Sequence, residues 1–382
     1  MTGKRESGPA RIAVLATPFG FGPASKAYTV GQVLAGYYGM DVHYYGSGSA
    51  GDFFDAQQGT TARRISTAAL DRDPGMLDSY DAIVNVLAPE LIRSPELAQA
   101  TYYVDSLGFT WQQADIASDS PLRQVRIYFA QNVFGSVENL TALGVPGVTA
   151  VSGIVSAPAL PTGPSADGPI RGLVHLGGLR NPAGSASAHA YLPLADSLLE
   201  AFQDGSYELS VAMNQSGTSF RRHGGGAARQ LSGQDFQQAL ADSDMVLSSP
   251  GLTTLIETSQ AGKPYVPLPP QNWSQVVICG HMSGLSGQDI WPFLADRYRT
   301  IDAWEPEAAK ATAVGEINRR LATDSVFIRE FGRLARRAAQ GGEAPTVGAP
   351  FHGAKELAAV VAADLSGIRG DSDDRITRAG AR

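Results

Sequence analysis

The chain has 382 residues, 43% of them hydrophobic and 18% charged, with a formal net charge of -7 and a single cysteine. That length exceeds what one hydrophobic core usually serves, so two domains of an ordinary soluble globular protein are expected. The acidic balance without long Lys or Arg runs argues against a nucleic-acid partner, and the lone Cys279 excludes an intramolecular disulfide or a cysteine-cluster metal site. No apolar run reaches a membrane span, and the opening MTGKRESGPARIAVLATPFG lacks a signal-peptide core, so a cytoplasmic protein with no membrane partner is expected.

After a short tail (1–10), Arg11–Ala16 reads as a strand, followed by the loop Thr17 to Lys26, TPFGFGPASK, and a helical stretch to about Ala35. The glycine spacing of that loop matches neither the dinucleotide fingerprint nor the P-loop. Apolar runs recur at Val42–Tyr45, Ala82–Leu87, Tyr102–Val104, Val125–Phe129 and Val148–Val155, separated by polar or helical segments. Such alternation predicts a parallel sheet flanked by helices over 11–157. A proline-rich stretch without periodicity, 158–170, reads as a linker. A second series of strands and helices then fills 171–366, with strands at 172–178, Tyr207–Met213, Met245–Leu247 and Tyr265–Leu268. Residues 367–382 are charged, lack an apolar period and are expected to be a disordered tail. Ligands of two such sheets would bind beyond the carboxyl ends of the strands, between the domains.

The segment Ser248 to Gln275, SSPGLTTLIETSQAGKPYVPLPPQNWSQ, carries the most chemistry. It turns on Pro250-Gly251, shows helical spacing at Leu252, Leu255 and Ile256, stops at Gly262-Lys263-Pro264, and resumes as a strand. A helix N-terminus opening on a glycine turn has outward N–H groups and roughly half a positive charge, which suits a phosphate. Glu257, one turn in, is placed to accept hydrogen bonds from sugar hydroxyls, and Gln275 reaches the same crevice.

These three elements, Ser-Pro-Gly-Leu-Thr-Thr-Leu-Ile-Glu, Ala-Gly-Lys-Pro and Leu-Pro-Pro-Gln-Asn-x-Ser-Gln, resemble the donor site of GT-B glycosyltransferases, including lipid II synthase-type N-acetylglucosaminyltransferases and antibiotic glycosyltransferases. The resemblance implies an α/β fold of the GT-B kind, two doubly wound, Rossmann-like parallel-sheet domains facing a central cleft. It implies that the N-terminal domain binds a small-molecule acceptor and the C-terminal domain a UDP-sugar donor. It puts the diphosphate at Ser249, Gly251, Leu252, Thr253 and Thr254, the ribose at Glu257, and the donor sugar at Gln275, with Gln271 beside it. It brings the loop Gly177, Gly178 and Arg180 to the diphosphate, and Phe21, Gly22, Ser25 and Lys26 to the acceptor and the donor phosphates. The last helix, Ala354 to about Ser366, would pack back across the linker. Family members commonly carry a histidine general base in the first loop, where this chain has Pro23 or Ala24. Asp105 is the first substitute and Glu90 the second, each against the alternative of capping the next helix.

The opening loop, the Tyr102 to Leu107 segment and the chain length are most similar to cytosylglucuronate synthases of nucleoside-antibiotic pathways. That likeness implies inverting transfer from UDP-glucuronate to N1 of cytosine, with Phe19, Phe21 and Trp111 as flat faces or core residues, and Lys26, Arg180 or Arg221 at the glucuronate carboxylate. A transferase with another small-molecule acceptor, a UDP-sugar 2-epimerase and a non-catalytic sugar-nucleotide-binding protein are the alternatives. Asp71-x-Asp73 and Asp242-x-Asp244 match the metal-holding pattern of another glycosyltransferase class, but the second sits in a helix-to-strand turn where aspartates are common. The six histidines lack metal-ligand spacing, and Arg221-Arg222-His223 reads as a solvated loop. No obligatory metal and no cofactor beyond the co-substrate are expected; the sequence assigns no oligomeric state.

Overall fold

A computed structural model describes residues 8–57, 61–64, 69, 73–160, 168–177, 186–213, 228–347 and 350–379. Among them two parallel sheets are formed. The first has the order β3-β2-β1-β4-β5-β6-β7. Its strands are β1 (Arg11–Ala16), β2 (Asp41–Gly46), β3 (Thr61–Arg64), β4 (Ala82–Val86), β5 (Thr101–Asp105), β6 (Ile127–Gln131) and β7 (Val148–Val151). Its helices are α1 (Gly22–Tyr38), α2 (Gly48–Asp55), α3 (Pro95–Gln99) and α4 (Ser136–Ala142). The second sheet has the order β11-β10-β8-β9, from β8 (Ile170–Leu176), β9 (Tyr207–Met213), β10 (Met245–Ser248) and β11 (Tyr265–Pro267). Around it lie α5 (Ala186–Leu199), α6 (Gly233–Asp242), α7 (Leu252–Gln260), α8 (Trp273–Leu285), α9 (Ile290–Tyr298), α10 (Glu307–Leu321) and α11 (Ser325–Gly341).

The near-continuous apolar runs are explained by burial on both faces: β4 and β5 are buried at every position. β3 has no apolar run and was not expected from the sequence; it pairs in parallel with β2, His43 to Gly46 opposite Thr61 to Arg64. In each sheet the chain order reverses beside the first strand, between β1 and β4 and between β8 and β10. At those two places neighbouring helices leave opposite faces and a crevice opens beyond the strand ends. The registers bring the ends level, Ala16 opposite Val86 and His175 opposite Ser248.

The final helix, α12 (Gly353–Ala379), packs on the first domain and is longer than the sequence suggests. Ala354, Leu357, Ala358, Val361 and Leu365 share a core with Val30 and Leu34 of α1. Asp364 accepts hydrogen bonds from Tyr102 Oη at 2.6 Å and Arg126 Nη2 at 3.0 Å. Residues up to 365 thus add to the core of the first domain, with the chain returning across the linker. The helix also runs past 366, where the sequence suggests a disordered tail. An apolar period is needed to dock a helix, not to form its backbone bonds, and its loss is a weak guide to where the helix stops. The two crossings between domains lie side by side. Gly153 N–H donates to Pro350 O at 3.2 Å, and Gly353 N–H to Gly153 O at 3.1 Å. A side-chain carbon on Gly353 would stand 2.0 Å from Ser152 O, so only glycine fits there.

Candidate active site

The two crevices face each other and make one cleft. On the first-domain side it is lined by Phe19 to Pro23, Ser25, Lys26, Phe53, Leu87, Ser106, Leu107 and Ser156. On the other side stand His175, Gly177, Phe236, Ser248, Ser249, Gly251 to Thr254, Glu257, Gln271 and Gln275. The structure therefore brings together most of the residues singled out from the sequence, across more than 200 residues of chain. Gly178, Arg180 and the loop 221–223 lie outside the described residues.

At the centre, two helix N-termini meet. Gly22 opens α1 and Leu252 opens α7, and neither helix has a side-chain cap or an acidic residue in its first turn. Their leading N–H groups are thus left unsatisfied by side chains, and both dipoles contribute positive potential to one spot. The approach is close: a side-chain carbon on Gly22 would lie 3.0 Å from Thr253 Oγ1.

Lys26, on the inner face of α1, adds a full charge. It is buried, and its ammonium donates to Thr253 Oγ1 across the cleft. Burial pushes its pKa down to about 8, against the attraction of Glu257. Glu257 is buried as well, and its Oε1 accepts from Gln237 Nε2 at 2.7 Å. Burial raises its pKa to about 7, while Lys26 and the Gln237 hydrogen bond pull it back. The pair titrates around neutrality because each group is desolvated and each is held charged chiefly by the other. Gln237 is a contributor the sequence did not reveal. Its replacement by leucine removes a hydrogen bond to the ionised carboxylate, so the pKa of Glu257 is expected to rise further. Titrating ligand affinity against pH would register this as an acid limb displaced to higher pH.

His175, in β8, lines the cleft. Its Nδ1 is 3.0 Å from Thr254 Oγ1, and its ring lies 4.8 Å from that of Phe236. Burial lowers its pKa to about 4, so it is neutral at physiological pH. Gly177 is needed beside it, since a side-chain carbon there would meet His175 Nε2 at 2.5 Å. Leu87, directly after β4, has φ of +57°, a left-handed conformation that costs a non-glycine residue energy and is found preferentially at functional sites.

The two base candidates are placed elsewhere. Asp105 is fully buried and its carboxylate accepts from Leu107 N–H at 2.6 Å, Trp111 Nε1 at 2.5 Å and Tyr128 Oη at 2.5 Å. Burial raises its pKa, those donors oppose the shift, and only its neighbours Ser106 and Leu107 reach the cleft lining. Nor does it cap the short helix that follows, Gly108–Thr110, which has no side-chain cap; its role is to hold these three donors inside the first domain. Asp105→Asn would turn an amide N–H towards one of three donors, and an unfolding measurement is expected to show a loss of about 2–4 kcal/mol. Glu90 is exposed on the turn after β4, outside the cleft lining, and partial desolvation raises its pKa. Trp111 is spent on Asp105, whereas Phe19 and Phe21 do face the cleft, with Phe53 packed edge-on to Phe21 at 5.6 Å. Asp244 binds Arg171, Oδ1 to Nη2 at 2.9 Å, at the start of β8 and away from the cleft.

No family model and no curated protein matches the sequence. Solved structures do. CalG4, the calicheamicin glycosyltransferase, is 16% identical with a TM-score of 0.52, over 94% of this chain and 99% of that one. SnogD, a glycosyltransferase from Streptomyces nogalater, is 18% identical with a TM-score of 0.50, over 92% and 99%. A UDP co-structure of MnaA from S. aureus is 10% identical with a TM-score of 0.52, over 91% and 94%. The fold is GT-B. In GT-B terms the first sheet with α12 is the N-terminal domain, the second sheet is the C-terminal domain, and the cleft between them holds Lys26 and Glu257. Among the described residues no helix is long and apolar enough to cross a membrane.

Proposed function

We propose that this chain is an inverting glycosyltransferase that takes a sugar from a UDP-sugar donor and passes it to a small-molecule acceptor. The observation carrying this reading is the meeting of two uncapped helix N-termini and Lys26 around Thr253. That arrangement suits a diphosphate, and it stabilises the charge that grows on a diphosphate as its bond to sugar C1 breaks. Glu257, second-turn and ionisable, suits the ribose hydroxyls beside it. Glu257 is the single carboxylate among the described lining residues. With Gln237 and Lys26 already holding it, it is poorly placed to attack C1, which favours direct displacement by the acceptor from the opposite face.

For the finer assignment we infer UDP-glucuronate as donor and N1 of cytosine as acceptor. The first-domain half of the cleft offers the rings of Phe19, Phe21 and Phe53 and the hydroxyls of Ser25, Ser106 and Ser156. Flat rings suit a pyrimidine. A heteroaromatic N–H is more acidic than an alcohol, so such an acceptor asks less of a general base than a sugar or macrolide hydroxyl does. The C1–O bond to the diphosphate breaks as the C1–N1 bond forms, and the N1 proton leaves to water or to the departing phosphate. We place the activity in the cytoplasm, with no obligatory metal.

The test is incubation of the purified protein with UDP-glucuronate and cytosine, with UDP-glucose and UDP-N-acetylglucosamine in parallel, followed by mass spectrometry. Release of UDP with a joined product only from glucuronate is the expected result. Product from another donor keeps the transferase and replaces the sugar. An altered UDP-sugar without acceptor would identify an epimerase, and no binding of UDP would overturn the donor site.

A further inference from the structure

Gly22, Lys26 and Thr29 share one stripe of α1, with Ser25 beside it, since residues three and four apart in a helix are neighbours. The stripe begins at the helix tip assigned to the diphosphate, and Thr29 lies two turns further on, roughly 10 Å along the axis. There Thr29 Oγ1 donates to Ser25 O, one turn back, at 2.8 Å, and stands 3.1 Å from Ser156 Oγ. A hydroxyl has a single proton and a carbonyl can only accept, so the Thr29 proton is committed to Ser25 O. The proton shared by the two hydroxyls must then come from Ser156, which donates to Thr29 Oγ1. With that proton spent, Ser156 Oγ can only accept from any further group that it meets.

Ser156 is half-buried, lines the cleft, and stands on a pinned segment of the crossing after β7. Ile154 N–H donates to Gln131 Oε1 at 2.8 Å, and the side chains of Ile154 and Val155 are buried. The Ser156 oxygen is therefore presented from a fixed backbone position, at the far end of the stripe from the helix tip. In a pyrimidine, the reacting N1 and C4 stand opposite each other across the ring. A base whose N1 faces the donor sugar at the helix tips turns its C4 substituent away from them, along α1 towards Thr29 and Ser156. Cytosine carries an amino group there, which donates; uracil carries a carbonyl, which can only accept.

We propose that Ser156 is a specificity-determining residue that accepts from an amino group of the acceptor substrate, and that Thr29 is a positioning residue that keeps the Ser156 proton out of the cleft. An amino-bearing heterocycle satisfies Ser156, whereas an oxo group in its place sets two acceptors against each other. This inference rests on the pyrimidine-acceptor reading above and selects the amino base over its oxo counterpart.

Initial rates of transfer to cytosine and to uracil test it, with UDP-glucuronate, UDP-glucose or UDP-N-acetylglucosamine as donor, whichever the wild type transfers. The two bases differ in N1 acidity, so the quantity read is the change in the ratio of their kcat/KM between wild type and variant. Thr29→Val removes the oxygen that takes the Ser156 proton and frees that proton for a carbonyl. The cytosine-over-uracil ratio is expected to fall by about 10-fold or more, with uracil gaining in absolute terms. Thr29→Ser keeps the hydroxyl and should restore the wild-type ratio. Ser156→Ala should also lower the ratio, chiefly through loss of rate with cytosine. Equal losses for both bases in Thr29→Val and Ser156→Ala would mean that the pair only supports packing, and an unchanged ratio would mean that Ser156 does not meet the base; either overturns the inference. Transfer to other acceptors but to neither base would overturn the pyrimidine reading itself, and this inference with it.

Discussion

Replacing Lys26 with methionine is expected to weaken UDP binding by about 10–100-fold, the size of a lost charge-assisted contact, without lowering Tm. The second half of that expectation separates function from folding. A buried ammonium carries a desolvation cost that an apolar side chain of similar volume does not, so its removal leaves stability unchanged or raises it. The partner carboxylate is not stranded, because without Lys26 the pKa of Glu257 moves further up from about 7 and the group is neutral at physiological pH. Calorimetric titration with UDP beside a thermal melt checks both parts. A normal affinity in the variant would remove Lys26 from the diphosphate site, and a collapse in Tm would make it a structural lysine.

The second large effect is in the pH dependence. Glu257 accepts from ribose hydroxyls as a carboxylate, so UDP affinity is expected to fall as pH drops through about 7. Lys26 attracts the diphosphate as an ammonium, so affinity falls again as pH rises through about 8. The expected profile is a narrow bell with its maximum between those values. Glu257→Gln should remove the acid limb, move the basic limb to lower pH because Lys26 loses the carboxylate that raises its pKa, and weaken UDP by about 10–100-fold at the maximum. A comparison of UDP with its 2′-deoxy analogue refines this: the preference for the ribose hydroxyl should shrink in the variant. A profile flat from pH 6 to 9 would mean that these two groups do not bind the nucleotide.

Much of this site was legible in the sequence because its signals are local. The turn at Gly251, the helix that follows and the position of Glu257 one turn in are set by a few consecutive residues, and the structure places them in the cleft as read. The strands around them were legible for the same reason, since burial on both faces leaves a continuous apolar run. What escaped was whatever depends on a partner far along the chain. Lys26 and Glu257 were both read as site residues, but their contacts were not: Lys26 meets Thr253, 227 residues away, and Glu257 meets Gln237, on a helix whose polar residues look like any solvated face. His175 was hidden by its apolar strand neighbours, which fit a core residue as well as the last exposed rung before a cleft. Asp105 shows the opposite error. A carboxylate at a strand end is where catalysis would put one, but the chain turns immediately and Leu107, Trp111 and Tyr128 consume it. Sequence spacing gives the end of the strand, not the direction of the side chain.

The paired crossings at Gly153 and Gly353 have a mechanical consequence. A single linker would let one domain twist and slide against the other. Two strands fastened side by side behave like the two pins of a door hinge: swinging remains easy, while twist and translation strain both pins at once. Any swing about this hinge would carry the tips of α1 and α7 along one arc, so Lys26 would return to Thr253 without a search. The last helix is the latch plate of that hinge, and cutting the chain before Gly353 would leave the halves joined by a tether.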